Sequence, residues 1–169
     1  MTTEPIIACI RGLHTLDAVA TFRDDVALCL PQPHTLVCFT DRPGACDAVN
    51  FIDTTEVDLP GEWARLLLFE PTWRGQSRVI YFDLDLSIVG DLTPLTTVPG
   101  EFHTTMDQSL MVIGAGMAGF VWTTFMEKGA AMRRQISARA AVNLLYPRAP
   151  NLRHVLPGGF IQRGCVGVQ

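Results

Sequence analysis

The chain has 169 residues, 48% of them hydrophobic and 18% charged, enough for one domain with a real core and too few for two ordinary ones. Scattered glycine and proline and an apolar content typical of globular proteins exclude a disordered chain, a collagen-like repeat and a disulfide scaffold. The net charge of −4 conceals a split: residues 1–127 carry six arginines and all 17 acids, a net −11, whereas residues 128–169 carry Lys128 and six arginines with no acid, a net +7.

From the N-terminus, Pro5 to Ile10 and Thr35 to Phe39 are short apolar runs, each ending in a polar loop, and both read as buried strands. Between them Val19, Phe22, Val26 and Cys29/Leu30 recur at helical spacing, with Asp24 and Asp25 on the other face and Pro31 and Pro33 ending the run. This strand-helix-strand unit predicts a parallel pair and an α/β architecture, a mostly parallel central sheet flanked by helices in one domain. A short strand is expected at Ala48 to Ile52 and a helix from Glu62 to Phe69, stopped by Pro71. Trp73 to Gln76 reads as a turn. Arg78 to Asp83 is a central-strand run ending in Asp83-Leu84-Asp85, Leu110 to Ile113 is a further strand, and helices are expected at Ala118 to Glu127 and Ala130 to Leu145.

The cysteines Cys9, Cys29, Cys38, Cys46 and Cys165 form no C-x-x-C pair, and three lie in apolar runs, so reduced thiols in a reducing compartment are expected. No apolar stretch approaches the ~20 residues needed to span a bilayer, and the first five residues lack the pattern of a secretory signal. The expectation is a soluble, cytoplasmic protein.

The chemistry concentrates at Asp83 and Asp85. Two aspartates one residue apart at the end of a strand point to one side of the chain and can converge on one hard cation. Mg²⁺ or Mn²⁺ held by one or two carboxylates completes its shell with phosphate and water, which points to a phosphate-bearing substrate. The plain alternative, a loop of solvated aspartates, is disfavoured by the uncharged run before Asp83 and the uncharged Leu86 to Gly90 after Asp85.

Several motifs occur in a fixed order: Leu-Pro-Gly-Glu-Trp-Ala-Arg-Leu-Leu-Leu-Phe-Glu-Pro from Leu59, then Arg-Val-Ile-Tyr-Phe-Asp-Leu-Asp-Leu-Ser-Ile-Val-Gly-Asp-Leu from Arg78. Thr40-Asp41 ends the second strand, and Gln108-Ser109-Leu110 opens a later one. Over roughly residues 5–126 this string resembles the nucleotide-sugar glycosyltransferases of the GT-A type, nearest the glycogenin-like and galactosyltransferase-like branches. The resemblance implies an α/β fold that binds a nucleoside-diphosphate sugar, commonly UDP-linked, beside Mn²⁺ or Mg²⁺. It implies that Asp85 ligates the metal directly, that Asp83 lies toward ribose and metal, and that Arg65 stands near the sugar donor. The loops at Ile10-Arg11-Gly12 and Thr40-Asp41 lie near base and ribose, and Leu84, Gln108 and Ser109 belong to the same donor site. A carbohydrate, protein or lipid acceptor is implied without being identified, no nucleic-acid partner is expected, and neither the sugar nor the oligomeric state is legible.

The chain departs from that pattern at three places. Gln108-Ser109-Leu110 stands where Asn-Ser-Gly is usual, Ala138-Arg139-Ala140 occupies the region of an expected Gly-Asp-Gln, and the late metal-binding histidine has only His103 and His154 as stand-ins. The chain is also shorter than a typical member, which predicts an incomplete acceptor side. A second reading is therefore a degenerate member that binds nucleotide or partner without turnover. A third is a haloacid-dehalogenase-like phosphatase, since Val79 to Asp85 also resembles that family's nucleophile strand, although the motif lies mid-chain and Leu86-Ser87-Ile88 stands where Gly-Thr-Leu is expected.

Trp63, Trp73 and Trp122 are expected in the core. Gly114-Ala-Gly-Met-Ala-Gly119 mimics a dinucleotide-binding loop but lacks the acidic ribose ligand about twenty residues on. Arg133, Arg134 and Arg139 read as the solvated face of a helix buried through Ile136, Ala140 and Leu144. The basic tail as a whole is suited to close over a diphosphate or to meet an anionic acceptor or membrane surface.

Overall fold

The computed structural model describes residues 4–42, 44–59, 61–146, 149–152 and 161–163. Strands β1 (Ile6–Ile10), β2 (Thr35–Thr40), β3 (Asn50–Asp53), β4 (Val79–Phe82), β6 (Phe102–Thr104) and β7 (Leu110–Ile113) form one sheet in the order β3-β2-β1-β4-β7-β6. The first four pair in parallel, and β7 runs antiparallel to both β4 and β6. The sheet is thus mostly parallel, as expected from the strand-helix-strand start. A second, two-stranded ribbon pairs β5 (Leu86–Ile88) with β8 (Ile161–Arg163).

The pleat sorts the core into two layers. Ile7, Cys9, Leu36, Cys38, Ile80, Phe82, Leu110 and Val112 face one side, where Val19, Phe22 and Val26 of helix α1 (Leu16–Cys29) cover them. Ile6, Ala8, Val37, Phe39, Val79, Tyr81, Met111 and Ile113 face the other. That layer is closed by a 3-10 helix (Gly61–Phe69) together with α4 (Ala115–Gln135) and α5 (Ala138–Leu145). Trp63 stacks on Phe125 of α4, and Trp73 meets the Phe39 ring edge-on while its Nε1 donates to the Leu67 carbonyl at 2.7 Å. Trp122 packs partly buried against the same layer, so all three tryptophans supply core area. Cys9, Cys29, Cys38 and Cys46 are free thiols. Cys165 and His154 lie outside the described residues.

Several boundaries differ from the sequence reading. The third strand begins at Asn50 because Ala48 takes a left-handed conformation, φ 62°, which an extended chain cannot contain. Pro71 ends the 3-10 helix and also opens α2 (Pro71–Arg74), where its missing N–H costs nothing and Glu70 caps Thr72 N at 3.2 Å. The two C-terminal helices divide at Ile136-Ser137 and not near Gly129. One glycine inside a long helix costs only about 1 kcal/mol, whereas Ser137 caps α5 by accepting from Ala140 N at 3.1 Å. The buried stripe of α5 is accordingly Ala138, Ala141 and Val142, and Leu144 is exposed. Helix α3 (Thr93–Thr97), β6 and β8 were not legible. Among the described residues no helix is long and apolar enough to cross a membrane.

Candidate active site

Strand β4 lies at the centre of the sheet, and its period-two alternation puts Tyr81 on the face covered by the 3-10 helix. Asp83 follows at the strand's C-terminal end. In open sheets of this kind ligands bind at that edge. Arg65 is the one residue after Glu62 in the 3-10 helix that is not buried. Its Nη2 donates to both oxygens of Asp83 at 2.8 Å, and the Tyr81 hydroxyl donates to Oδ1. The guanidinium also lies over the Tyr81 ring, 5.8 Å from its centroid. Asp85 is carried alongside by a turn, in which Leu86 N donates to Asp83 O at 3.1 Å. The strand ends at Phe82, so a turn and not the pleat brings the two carboxylates to one cavity.

The electrostatics of the group are those of a desolvated ion cluster. Burial raises the Asp83 carboxyl above its usual value, opposed by the Tyr81 hydrogen bond and by Arg65, with the nearby Asp85 charge adding to the rise. Burial, reinforced by Asp83, pushes the Tyr81 phenol well up, so it stays protonated and donates. Burial alone would lower Arg65, but its interactions with Tyr81 and Asp83 outweigh it and the guanidinium ends above its usual value.

Two adjoining cavities run along the C-terminal edge. One, of about 330 Å³, is lined by Ile10, Gly12, Leu13, His14, Gly61, Glu62 and the Arg65, Tyr81, Asp83, Leu84 and Asp85 group. The other, of about 610 Å³, shares Ile10, Gly12, Leu13 and Gly61 with it and extends over Phe39, Thr40, Asp41, Arg42 and the loop Thr54–Leu59. The rim between them is tied by two arginines. Arg11 donates to the carbonyls of His14 and Arg42 at 3.2 Å each, while Arg42 donates back to Gly12 O and, at 2.9 Å, to His14 O. Thr40 Oγ1 both donates to Arg42 O and accepts from Arg42 N, at 3.0 Å each.

Of the residues singled out in the sequence, Ile10, Gly12, Thr40, Asp41, Arg65, Asp83, Leu84 and Asp85 line these cavities. Arg11 is buried and spans the loops beneath them. Gln108 and Ser109 line neither. Gln108 Nε2 is held by Arg139 O at 3.1 Å and Asn143 Oδ1 at 2.7 Å, and Ser109 Oγ donates to Asp107 at 2.8 Å, although Ser109 O accepts from Asp83 N at 2.8 Å. Leu110 is wholly buried on the α1 side, away from the groove. His103 lines neither cavity; its Nε2 lies 2.6 Å from the Pro99 carbonyl and its Nδ1 is buried without a partner. The N-terminus of α4, where the glycine-rich segment lies, is filled by Glu101, whose carboxylate accepts from Gly116 N at 2.9 Å. The sequence reading missed Tyr81, Arg42 and His14. Tyr81 stands two residues before Asp83 in the run read as a strand, and that period-two spacing is the signal that could have found it.

Among the described residues no three His, Cys, Asp or Glu side chains converge as a full metal shell. The pair nevertheless fits the partial shell of a hard cation that draws its other ligands from phosphate and water. Asp85 Oδ1 is a buried acceptor with no hydrogen-bond partner, the kind of group that a cation would satisfy.

No family model and no curated protein sequence matches the chain. Solved structures do. The apo-form glycosyltransferase GlyE of Streptococcus pneumoniae TIGR4 superposes with a TM-score of 0.66 at 13% identity, over 89% of this chain and 45% of that one. The galactosyltransferase LgtC in complex with donor and acceptor sugar analogs gives 0.66 at 12% identity, over 97% of this chain and 88% of that one. An active-site mutant of LgtC gives 0.60 at 13% identity. The chain spans less than half the length of GlyE and most of that of LgtC.

Proposed function

This chain has the GT-A type glycosyltransferase fold, and on that premise we propose that it transfers a sugar from a UDP-linked donor to a carbohydrate, protein or lipid acceptor, with Mn²⁺ or Mg²⁺ held by Asp85 and Asp83. The observation that carries this reading is the juxtaposition of two carboxylates, one with an orphaned buried oxygen, with Arg65 in a cavity that opens into a second, nucleotide-sized one. The larger cavity, floored by Phe39 and Ala64 and edged by Asp41, suits a base and ribose. The smaller one suits a diphosphate and the first atoms of the sugar. When bound, the cation neutralises charge that develops on the leaving diphosphate. Arg65, once released from Asp83, would add its charge to the same neutralisation. The reciprocal ties of Arg11 and Arg42 hold the rim in place, so that the donor meets a preformed groove.

The test is calorimetric titration with UDP-sugars and Mn²⁺, followed by assay of transfer and hydrolysis. Asp85→Ala is expected to lose metal-dependent donor binding and activity by a factor of about 100 or more, whereas Asp107→Ala, a change within the Thr105–Ser109 loop, is expected to retain both. Folded protein that takes up no UDP-sugar in the presence of Mn²⁺ would sink the proposal. A second reading, donor binding without turnover, is favoured by Gln108, whose Nε2 is held by Arg139 O and Asn143 of α5 and which lines neither cavity. Tight UDP-sugar binding with neither hydrolysis nor transfer would select it. Release of phosphate from an aryl phosphate would instead favour the phosphatase alternative.

A further inference from the structure

The two carboxylates of the smaller cavity are not equivalent. Both oxygens of Asp83 are held by one nitrogen of Arg65, 2.8 Å from each, and Tyr81 donates to one of them as well. Asp85 instead keeps a buried oxygen without a partner. The Arg65 and Asp83 side chains are only 16% and 21% exposed, so separating them without replacement leaves two uncompensated charges in a poorly solvated place. A divalent cation coming to Asp85 meets the guanidinium seated on the neighbouring carboxylate. An anion coming to Arg65 meets a donor already committed to Asp83. A cation that takes up Asp83, or an anion that takes the Nη2 donor, strands the other partner if it comes alone, whereas the two together replace the pair, the cation on Asp83 and the diphosphate on Arg65.

We infer that the Arg65–Asp83 ion pair is a latch, set by Tyr81, that makes the site take its divalent cation and its nucleoside diphosphate as a couple and hold each weakly without the other. The inference rests on the nucleotide-sugar reading of the site and adds to it a positioning role for Arg65 and Tyr81 in the ligand-free protein. Linkage requires that the factor by which the cation tightens the diphosphate equal the factor by which the diphosphate tightens the cation. That factor has two parts, the direct chelation of cation by diphosphate and the transfer of Arg65 from one anion to the other. Removing the latch leaves the first part alone.

The experiment is calorimetric titration of the 169-residue chain with MnCl₂ alone, with UDP alone, and with each in the presence of saturating amounts of the other. The proteins compared are wild type, Arg65→Met and Tyr81→Phe, each checked for folding by circular dichroism. In the wild type the coupling is expected to exceed the Mn²⁺–UDP association measured without protein by a factor of roughly 5–150. Arg65→Met is expected to bind Mn²⁺ alone about tenfold more tightly and to bring the coupling down to the chelation value. Tyr81→Phe, which keeps the guanidinium, is expected to move both quantities the same way by a smaller factor, and it carries the test if Arg65→Met does not fold. If Arg65 acts only through its charge, its loss changes the single-ligand affinities and leaves the coupling factor where it was; that result overturns the latch. So does an unchanged coupling in Tyr81→Phe when that variant alone is folded. Wild-type protein that binds neither UDP nor UDP with Mn²⁺ overturns the nucleotide reading itself, a result distinct from both.

Discussion

Arginines inside this protein work in different ways, and their neighbours decide which. Arg65 is paired to a carboxylate at the mouth of a cavity. Among the described residues no acid lies within bonding distance of Arg74, which is buried, its guanidinium donating to Leu68 O at 3.3 Å, Ser77 O at 2.7 Å, Ile113 O at 2.8 Å and Gly114 O at 3.0 Å. Burial, opposed by the charge of Glu101, pulls it down to about 10, so it remains charged at neutral pH. It therefore joins the end of the 3-10 helix, the turn before β4, the end of β7 and the cap of α4. Arg74→Met strands those carbonyls and is expected to cost about 2–4 kcal/mol in urea unfolding. In the sequence Arg74 sits in a polar turn and is indistinguishable from a solvated arginine. Asp91 acts locally. Its Oδ1 accepts from Thr93 N at 2.8 Å, and bonding to Thr93 holds its carboxyl below the usual 3.8. A folded value below the unfolded one means stability that is present above pH 3.8 and lost as pH falls through the lowered value. Melting temperatures of Asp91→Ala should fall less steeply on acidification than those of the wild type.

Elements with a clear period were readable, and those without one were not. Helix α1 shows three- and four-residue spacing and folds as read, with Val19, Phe22 and Val26 buried. The segment Gly61–Phe69 buries six of its nine residues, so its apolar pattern carries no period that would separate a 3-10 helix from an α-helix. That near-continuous burial is also why Arg65 has one way out, toward the β4 edge. The boundary between α4 and α5 hinges on Ser137, whose cap is not distinguished in sequence from the many other serines and threonines. Ser137→Ala is expected to destabilise the chain by about 1 kcal/mol, read from thermal melts. If the division lay at Gly129 instead, the substitution would be neutral.

At the scale of the whole molecule the charge split has a structural counterpart. Arg133, near the end of α4, donates to Asp58 O at 2.5 Å and to Asp58 Oδ2 at 2.9 Å, and Ala138 N at the start of α5 donates to Glu62 at 3.3 Å. The described part of the basic tail thus folds back on the acidic body beside the larger cavity, and Arg133 is spent on its wall loop and not left on a solvated face. The ion pair is exposed on the Asp58 side, so Arg133→Gln is expected to lower stability slightly, by an amount that shrinks as salt is raised. The sequence by itself determined the α/β class, the parallel start of the sheet and Asp83-Leu84-Asp85 at the end of a central strand, because pleat and helix periods are local properties that a linear pattern records. Only the tertiary structure decided that Asp83 is claimed by Arg65 while Asp85 keeps a buried oxygen without a partner, that Gln108 turns to α5, and that Arg42 ties the rim. Those outcomes depend on contacts between segments 18 to 35 residues apart, where burial and competition among partners set the choice and no spacing rule applies.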